Sequence, residues 1–351
     1  MKKLLLILNM GLVCCSILSC KNYKKMNENF KWQPGMSAPK NYPMEGYRIR
    51  FIYADGTGIS WPLDVAGLGT GWGEESGGVV VGKSQKPIPI GLNITWLSYT
   101  ENQFYTGSFK LPYDTMLELF KKGWHDIDGA YTYDHIIAGM APGGVVVVWL
   151  SGAAHKVDVC RFQATKTTVD MKDFTDRNDY EYSQADYIQS TLEDSTIAKN
   201  LAKNGIPLGL WDKYRQRFIL RPKIVYDWIE PVKTQEILFN YYNGEADVLN
   251  AKMIEKNDYE SRARPKKMLF YWYVDTLGKK QGYQLPIEFN EAEVMKAFAE
   301  VYGNNYNPEN KIEGDLIVEV NRGNDDFRVF LQGNGKKVEL HQSTGEIYLI
   351  N

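Results

Sequence analysis

Ile94-Thr95-Trp96-Leu97-Ser98-Tyr99, a polar turn at Thr100 to Gln103, and Phe104-Tyr105-Thr106-Gly107-Ser108-Phe109 read as the two arms of a β-hairpin. Leu111-Pro112 closes the second arm. Tyr113, Met116, Leu117 and Phe120 then recur at the spacing of one helix face, and Lys121-Lys122-Gly123 stops the helix. Asp114 is expected to cap the helix, the lysines of its last turn suit the negative end of the dipole, and glycine permits a left-handed exit.

The design returns later in the chain. Leu269-Phe270-Tyr271-Trp272-Tyr273-Val274, a turn at Asp275 to Lys280, and Gln281 to Gln284 form a second hairpin, followed by Leu285-Pro286. A helix from Asn290 then places Val294, Ala297, Phe298 and Val301 on one face and ends at Gly303. Asn290 and Glu293 fit a capping box. Gly143-Gly144-Val145 to Leu150 with Lys156 to Phe162 is a further hairpin, matched to Gly314 to Val320 with Asp326 to Leu331. Leu111 answers Leu285 and Gly144 answers Gly314 at a near-constant offset, which an internal duplication explains. Further strands precede each unit, Tyr47 to Tyr53 with Gly58 to Leu63, and Lys223 to Ile229 with Glu236 to Tyr242. Val145 to Leu150 is apolar on both sides and is expected to be a central strand covered on both faces.

These patterns predict an α+β fold: two tandem related units, each an antiparallel sheet with a helix packed on one face. The first unit is expected over residues 32–165 and the second over 216–351. Residues 166–215 read as a polar, helical connection with a helix around Ala185 to Asn204.

Met1-Lys2-Lys3, an apolar run from Leu4 to Leu18, and Ser19-Cys20 have the layout of a lipoprotein signal over residues 1–19. Cys20 is the expected lipidation site, and residues 20–31, polar and without periodicity, read as a flexible tether. The alternative is an ordinary secretory signal with a chance cysteine. Acyl chains hold such a protein at a membrane surface, at about 0.8 kcal/mol per buried methylene. The expected location is the bacterial cell envelope, at the outer membrane and facing the periplasm.

A net charge of -2 gives no general field for nucleic acid, so none is expected as a partner. Hydrophobic residues at 44% and charged residues at 24% suit a soluble body with a sizeable core. Outside the signal Cys160 is the only other thiol, in an alternating strand pattern that suits a small core residue.

No motif carries catalysis. Gly67 to Gly78 is the most glycine-dense segment, yet it lacks a phosphate-loop lysine, and Glu74 and Glu75 would repel phosphate. It reads as a surface loop pinned by Trp72, and Trp72, Glu74 and Glu75 form a candidate partner-contact loop. His125, Asp126, Asp128, Asp134 and His135 lie close in sequence but lack zinc-ligand spacing, so neither a metal nor any other cofactor is expected. His155 and His341 are expected at the surface, as are Ser98 and the basic run Arg262-Ala263-Arg264-Pro265-Lys266-Lys267. Aromatics reach 13%, mostly in strand patterns that suit the core, and an exposed subset would supply binding area.

Trp32-Gln33-Pro34, Ala38-Pro39-Lys40-Asn41-Tyr42-Pro43, Gly71-Trp72-Gly73-Glu74 and Leu111-Pro112-Tyr113 occur in an order that resembles a named family. Gly205-Ile206-Pro207, Gly209-Leu210-Trp211-Asp212-Lys213-Tyr214 and Arg217-Phe218 extend the match. The chain resembles the bacterial lipoprotein family catalogued as domain of unknown function 2931, from about residue 30 to beyond 215. The resemblance implies a lipoprotein without a settled activity. Similar lipoproteins are associated with gene neighbourhoods of secreted antibacterial toxins, which implies an immunity role. The expectation is a lipid-anchored, non-enzymatic binding module with a protein partner, possessing no catalytic residues. The alternative is a periplasmic hydrolase or glycan-binding protein using carboxylates and exposed aromatics.

Overall fold

The computed structural model describes residues 28–61, 69–76, 80–126, 129–228, 232–276, 279–304 and 306–350. The signal, Cys20 and most of the segment read as a tether lie outside the described residues, as do Gly67, Leu68, Gly77, Gly78 and Asp128. Asn29–Lys31, the end of that tether segment, is a strand paired with Gln85–Pro87. Among the described residues no helix is long and apolar enough to cross a membrane.

The chain forms two compact units. The first contains residues up to 122, 133–150 and 159–206; the second contains 123–132, 151–158 and 207 onward. In the first, a five-stranded sheet runs in the order Thr165–Thr167, Gln103–Lys110, Gly91–Ser98, Met44–Ile52, Gly58–Ser60. A second group begins with Gln33–Ser37, parallel to His135–Ala141, followed by Val145–Gly152. Val145 to Leu150 are all buried, as their two-sided apolar character requires. Trp96 stacks on Tyr105 at 5.4 Å, and Trp32 meets Phe51 edge-on at 5.9 Å.

In the second unit one sheet joins Ala246–Asn250, Lys233–Tyr241, Pro265–Thr276 and Lys279–Glu288, with Thr344–Gly345 and Tyr348–Ile350 on its edge. Lys156 lies opposite Ala246 at the other end. The other sheet joins Glu260–Arg262, Phe218–Tyr226, Glu313–Val320, Phe327–Gly333 and Lys336–Glu339. Both sheets feed one core: Phe239, Phe270, Trp272 and Leu285 from the first, and Phe218, Leu220, Leu316, Val318 and Leu331 from the second. Each such side chain stabilises the fold by about 1.5–3 kcal/mol when fully buried. Tyr226 and Trp272, 5.7 Å apart, link the two sheets.

The expected α+β class is overturned. The described residues are mostly β, with 47% strand and 20% helix. The physical reason lies in what covers what. In the second unit the two sheets cover each other, and helix Glu291–Tyr302 adds Val294, Ala297, Phe298 and Val301 to their shared core rather than roofing a single sheet. Helix Tyr113–Lys122 buries Tyr113, Met116, Leu117 and Phe120, and Leu210–Tyr214 buries Trp211 and Tyr214, but Met171–Thr175, Ser195–Asn204 and Ala251–Lys256 bury no residue and Gln184–Leu192 buries only Ile188. The single helix expected around Ala185 to Asn204 is broken where Asp194 caps Thr196 and Ile197.

One order of pairing occurs in both units. An opening strand (Gln33–Ser37; Phe218–Tyr226) precedes a three-stranded antiparallel set (44–52, 91–98, 103–110; 233–241, 265–276, 279–288). A helix follows, and the next long strand returns parallel to the opening one (His135–Ala141; Glu313–Val320). By this order Val145–Gly152 corresponds to Phe327–Gly333, so the landmark match of Gly144 with Gly314 is displaced by one strand. Leu285-Pro286 also differs from Leu111-Pro112, because it lies inside a strand, with Pro286 opposite Leu269.

Candidate functional site

Gln33–Ser37 is the outermost strand of its group, and its free edge would invite pairing with another chain. The glycine-rich loop occupies that edge. Ser76 N–H donates to the Met36 carbonyl at 2.8 Å, and Gly71 N–H to the Ala38 carbonyl at 3.2 Å. The fully buried Ser37 hydroxyl donates to the Gly71 carbonyl and accepts from Gly73 N–H, both at 2.9 Å. Gly73 turns the loop at a φ of 79°, where a side chain is strained. At Gly35 an added Cβ would lie 2.9 Å from Ile137 Cγ1 and 3.2 Å from the Glu75 side chain, which packs over the strand there.

Trp72 anchors this loop. It is buried and meets Trp149 at 83°, edge to face. Glu74 is exposed and Glu75 half-buried. His135 Nε2 lies 3.7 Å from Glu75 Oε1, and Nδ1 lies 2.8 Å from Asp134 Oδ1. The bond to Asp134 raises the His135 pKa; burial opposes the rise and Glu75 adds to it. Nearby, buried Lys86 donates to Gln33 Oε1 and the Val81 carbonyl, each at 2.9 Å, and burial lowers its pKa. The result is a loop held against the strand edge that presents one exposed carboxylate, Glu74, beside the half-buried Glu75–His135 pair.

The remaining sequence candidates are scattered. His125 falls in the second unit and His135 in the first. His155, expected at solvent, is instead largely covered, stacked on Trp124 at 5.5 Å and 3.6 Å from Asp247. His341 is exposed beside Glu339. Ser98, also expected at solvent, is fully buried and donates to Glu101 at 2.8 Å. Cys160 is half-buried in strand His155–Gln163. Among the described residues no group of three or more His, Cys, Asp or Glu is placed to hold a metal ion.

Sequence reasoning missed the buried charges. In the first unit Glu45 accepts from the phenols of Tyr99 and Tyr187, and burial, then Glu45, raises the Tyr99 pKa. In the second, Arg215 grips Asp158 with two bonds of 2.6 and 3.1 Å. Glu245 accepts from Asp158 N–H, Asn243 and Arg217. Burial raises the Asp158 pKa, and Arg215 opposes that rise. Arg262 and Arg264, expected in a solvated loop, are both buried. Arg264 spans the Phe218 ring at 4.5 Å while donating to the Lys213 carbonyl and Gln216, and burial brings its pKa down to about 10. The only hint in the sequence was the density of arginines; apart from Glu260, which pairs with Arg262 two residues away, their partners are remote along the chain.

No curated protein matches this chain, and neither does any solved structure. A family signature does match, across residues 19–209, more than half of the chain and including the whole acidic loop. The chain belongs to the family described as protein of unknown function DUF2931.

Proposed function

We propose that this protein is a lipid-anchored component of the bacterial envelope that acts by binding another protein. Acylation at Cys20 holds it to the membrane, with the folded body in the periplasm. The observation that carries this reading is the acidic loop. Glu74 is exposed on a segment fixed to strand Gln33–Ser37 by backbone bonds and by buried Trp72, with Glu75 half-buried beside it against His135. A preorganised charged surface loses little entropy on binding, and charge complementarity selects a basic partner. The layout of Met1 to Cys20 supports the anchor. In its narrower form, the partner is a secreted antibacterial toxin and the protein confers immunity.

The test is gentle solubilisation of envelopes containing the full-length protein, with mass spectrometry of its N-terminus and of co-purifying proteins. An acylated Cys20 and a partner lost on Glu74→Lys are expected. An unmodified Cys20 overturns the anchor, and a preparation without any partner overturns the binding role. Unchanged survival of a deletion strain facing toxin-producing neighbours overturns the immunity form.

A further inference from the structure

The N-terminal residues join the described body at a fixed point. Glu28 accepts from Lys121 Nζ at 2.7 Å, Phe30 meets Phe120 with ring centroids 5.2 Å apart, and Asn29–Lys31 pairs with Gln85–Pro87. Trp32 Nε1 then donates to the Pro87 carbonyl at 3.2 Å. Alternate side chains of a strand point to opposite sides, so Phe30 turns inward while Asn29 and Lys31 are exposed. The chain is thereby clamped to the last turn of helix Tyr113–Lys122, where Lys121 and Lys122 are both exposed.

Cys20 and Glu28 are eight residues apart. A chain covers at most about 3.6 Å per residue, so an acyl group on Cys20 keeps the surface of its bilayer within about 29 Å of Glu28. Charge decides what happens inside that radius. Lys21, Lys24, Lys25 and Lys31 flank Glu28 in sequence and Lys121 and Lys122 join them in space, although the whole chain is net -2. Glu28 is paired with Lys121, and exposed Glu118, one turn back, offsets one further lysine. An excess of cations thus stands at the place where the chain leaves for the membrane. The negative end of the helix dipole accounts for Lys121 and Lys122 but not for Lys31 or the lysines before it. Screening confines such charges to a reach of about 8–10 Å, so they act on headgroups only when the body lies against them.

We propose that this end of the first unit, Glu28–Lys31 with the last turn of helix Tyr113–Lys122, lies against the bilayer and engages anionic phospholipid headgroups through Lys31 and Lys122. This rests on the reading of the chain as an acylated envelope protein and deepens it. The experiment has two arms. In the first, the full-length lipoprotein in vesicles of phosphatidylethanolamine and phosphatidylglycerol is treated with an amine-acetylating ester, and each lysine is read by mass spectrometry. Lys31 and Lys122 should be protected relative to the same protein in detergent. In the second, the full mature chain carrying Cys20→Ser, so that no acyl chain contributes, is sedimented with vesicles of phosphatidylglycerol or of phosphatidylcholine. Salt-sensitive binding to the first alone is expected, about tenfold weaker when Lys31→Gln and Lys122→Gln are combined. Binding unchanged in that double variant, which would assign it to Lys21, Lys24 and Lys25, overturns the proposal. So does binding to neither vesicle, or to both alike, or protection spread evenly over the lysines of the body. An unmodified Cys20 in the native protein with the second arm as expected overturns the anchor alone; an acylated Cys20 with Lys31 and Lys122 equally reactive in vesicles and detergent overturns this face alone.

Discussion

The Trp72 and Trp149 rings meet with their centroids 4.8 Å apart, one from the glycine-rich loop and one from the central strand Val145–Gly152. This contact ties an exposed acidic surface to the interior of its unit. Trp72→Ala removes a buried indole and is expected to cost about 3–5 kcal/mol, read from urea unfolding. Gly139→Ala is expected to be destabilising by about 1–3 kcal/mol through overpacking, because the new methyl would stand 2.3 Å from the Trp149 ring.

Glu74→Lys should behave in the opposite way. Glu74 is exposed, so the substitution is expected to change stability by no more than about 0.5 kcal/mol. Its effect should appear in partner binding and in the salt dependence of the association rate. A fold change large enough to shift the unfolding midpoint would show that Glu74 has a structural task.

The Asp158–Arg215 pair makes a different prediction, since the carboxylate is 6% exposed and the guanidinium 31%. Arg215→Ala leaves a buried carboxylate without its cation and is expected to cost about 3–5 kcal/mol, whereas the double change Asp158→Leu with Arg215→Met should cost much less. A thermodynamic cycle built from single and double variants measures the difference.

His135 couples stability to pH. Its folded pKa is raised above the ordinary 6.5, chiefly by Asp134. The folded state therefore holds the proton more tightly than the unfolded chain does. The contribution is complete below the unfolded value and is lost as pH rises through the folded one. Unfolding midpoints followed from pH 5 to 9 should decline across this window, and His135→Gln should flatten that decline. An NMR titration of the ring, giving a midpoint at or below the ordinary value, would contradict the assignment.

What could be read from the sequence was local. The spacing of Tyr113, Met116, Leu117 and Phe120 gave a helix that buries those four residues, and Val294, Ala297, Phe298 and Val301 did the same. Asn290 caps its helix through Glu293 N–H as its position suggested, but the Glu293 carboxylate accepts from Gln342 N–H. Alternation identified strands and left their partners open. Phe218–Tyr226 and Lys233–Tyr241 are neighbours in sequence and lie in different sheets, and nothing local distinguishes that from a hairpin. The class was misjudged for this reason: a helix face was assumed to be what covers a sheet, when another sheet does so in the second unit. The acidic loop was visible as glycine density, but its attachment through Ser37 depended on a strand it does not adjoin in sequence.

The parallel pairing of each opening strand has a consequence for how the molecule comes into being. Gln33 faces His135, and Ile219 faces Glu313. A chain delivered N-terminus first, from a ribosome or through a translocation channel, leaves each opening strand waiting while most of its unit emerges. A nascent chain halted before Glu313 offers Phe218–Tyr226 only the three residues Glu260–Arg262 as a sheet neighbour. Completion is thus a late, long-range event, and in the interval the bare strand edges are what a holding chaperone would need to shield from aggregation.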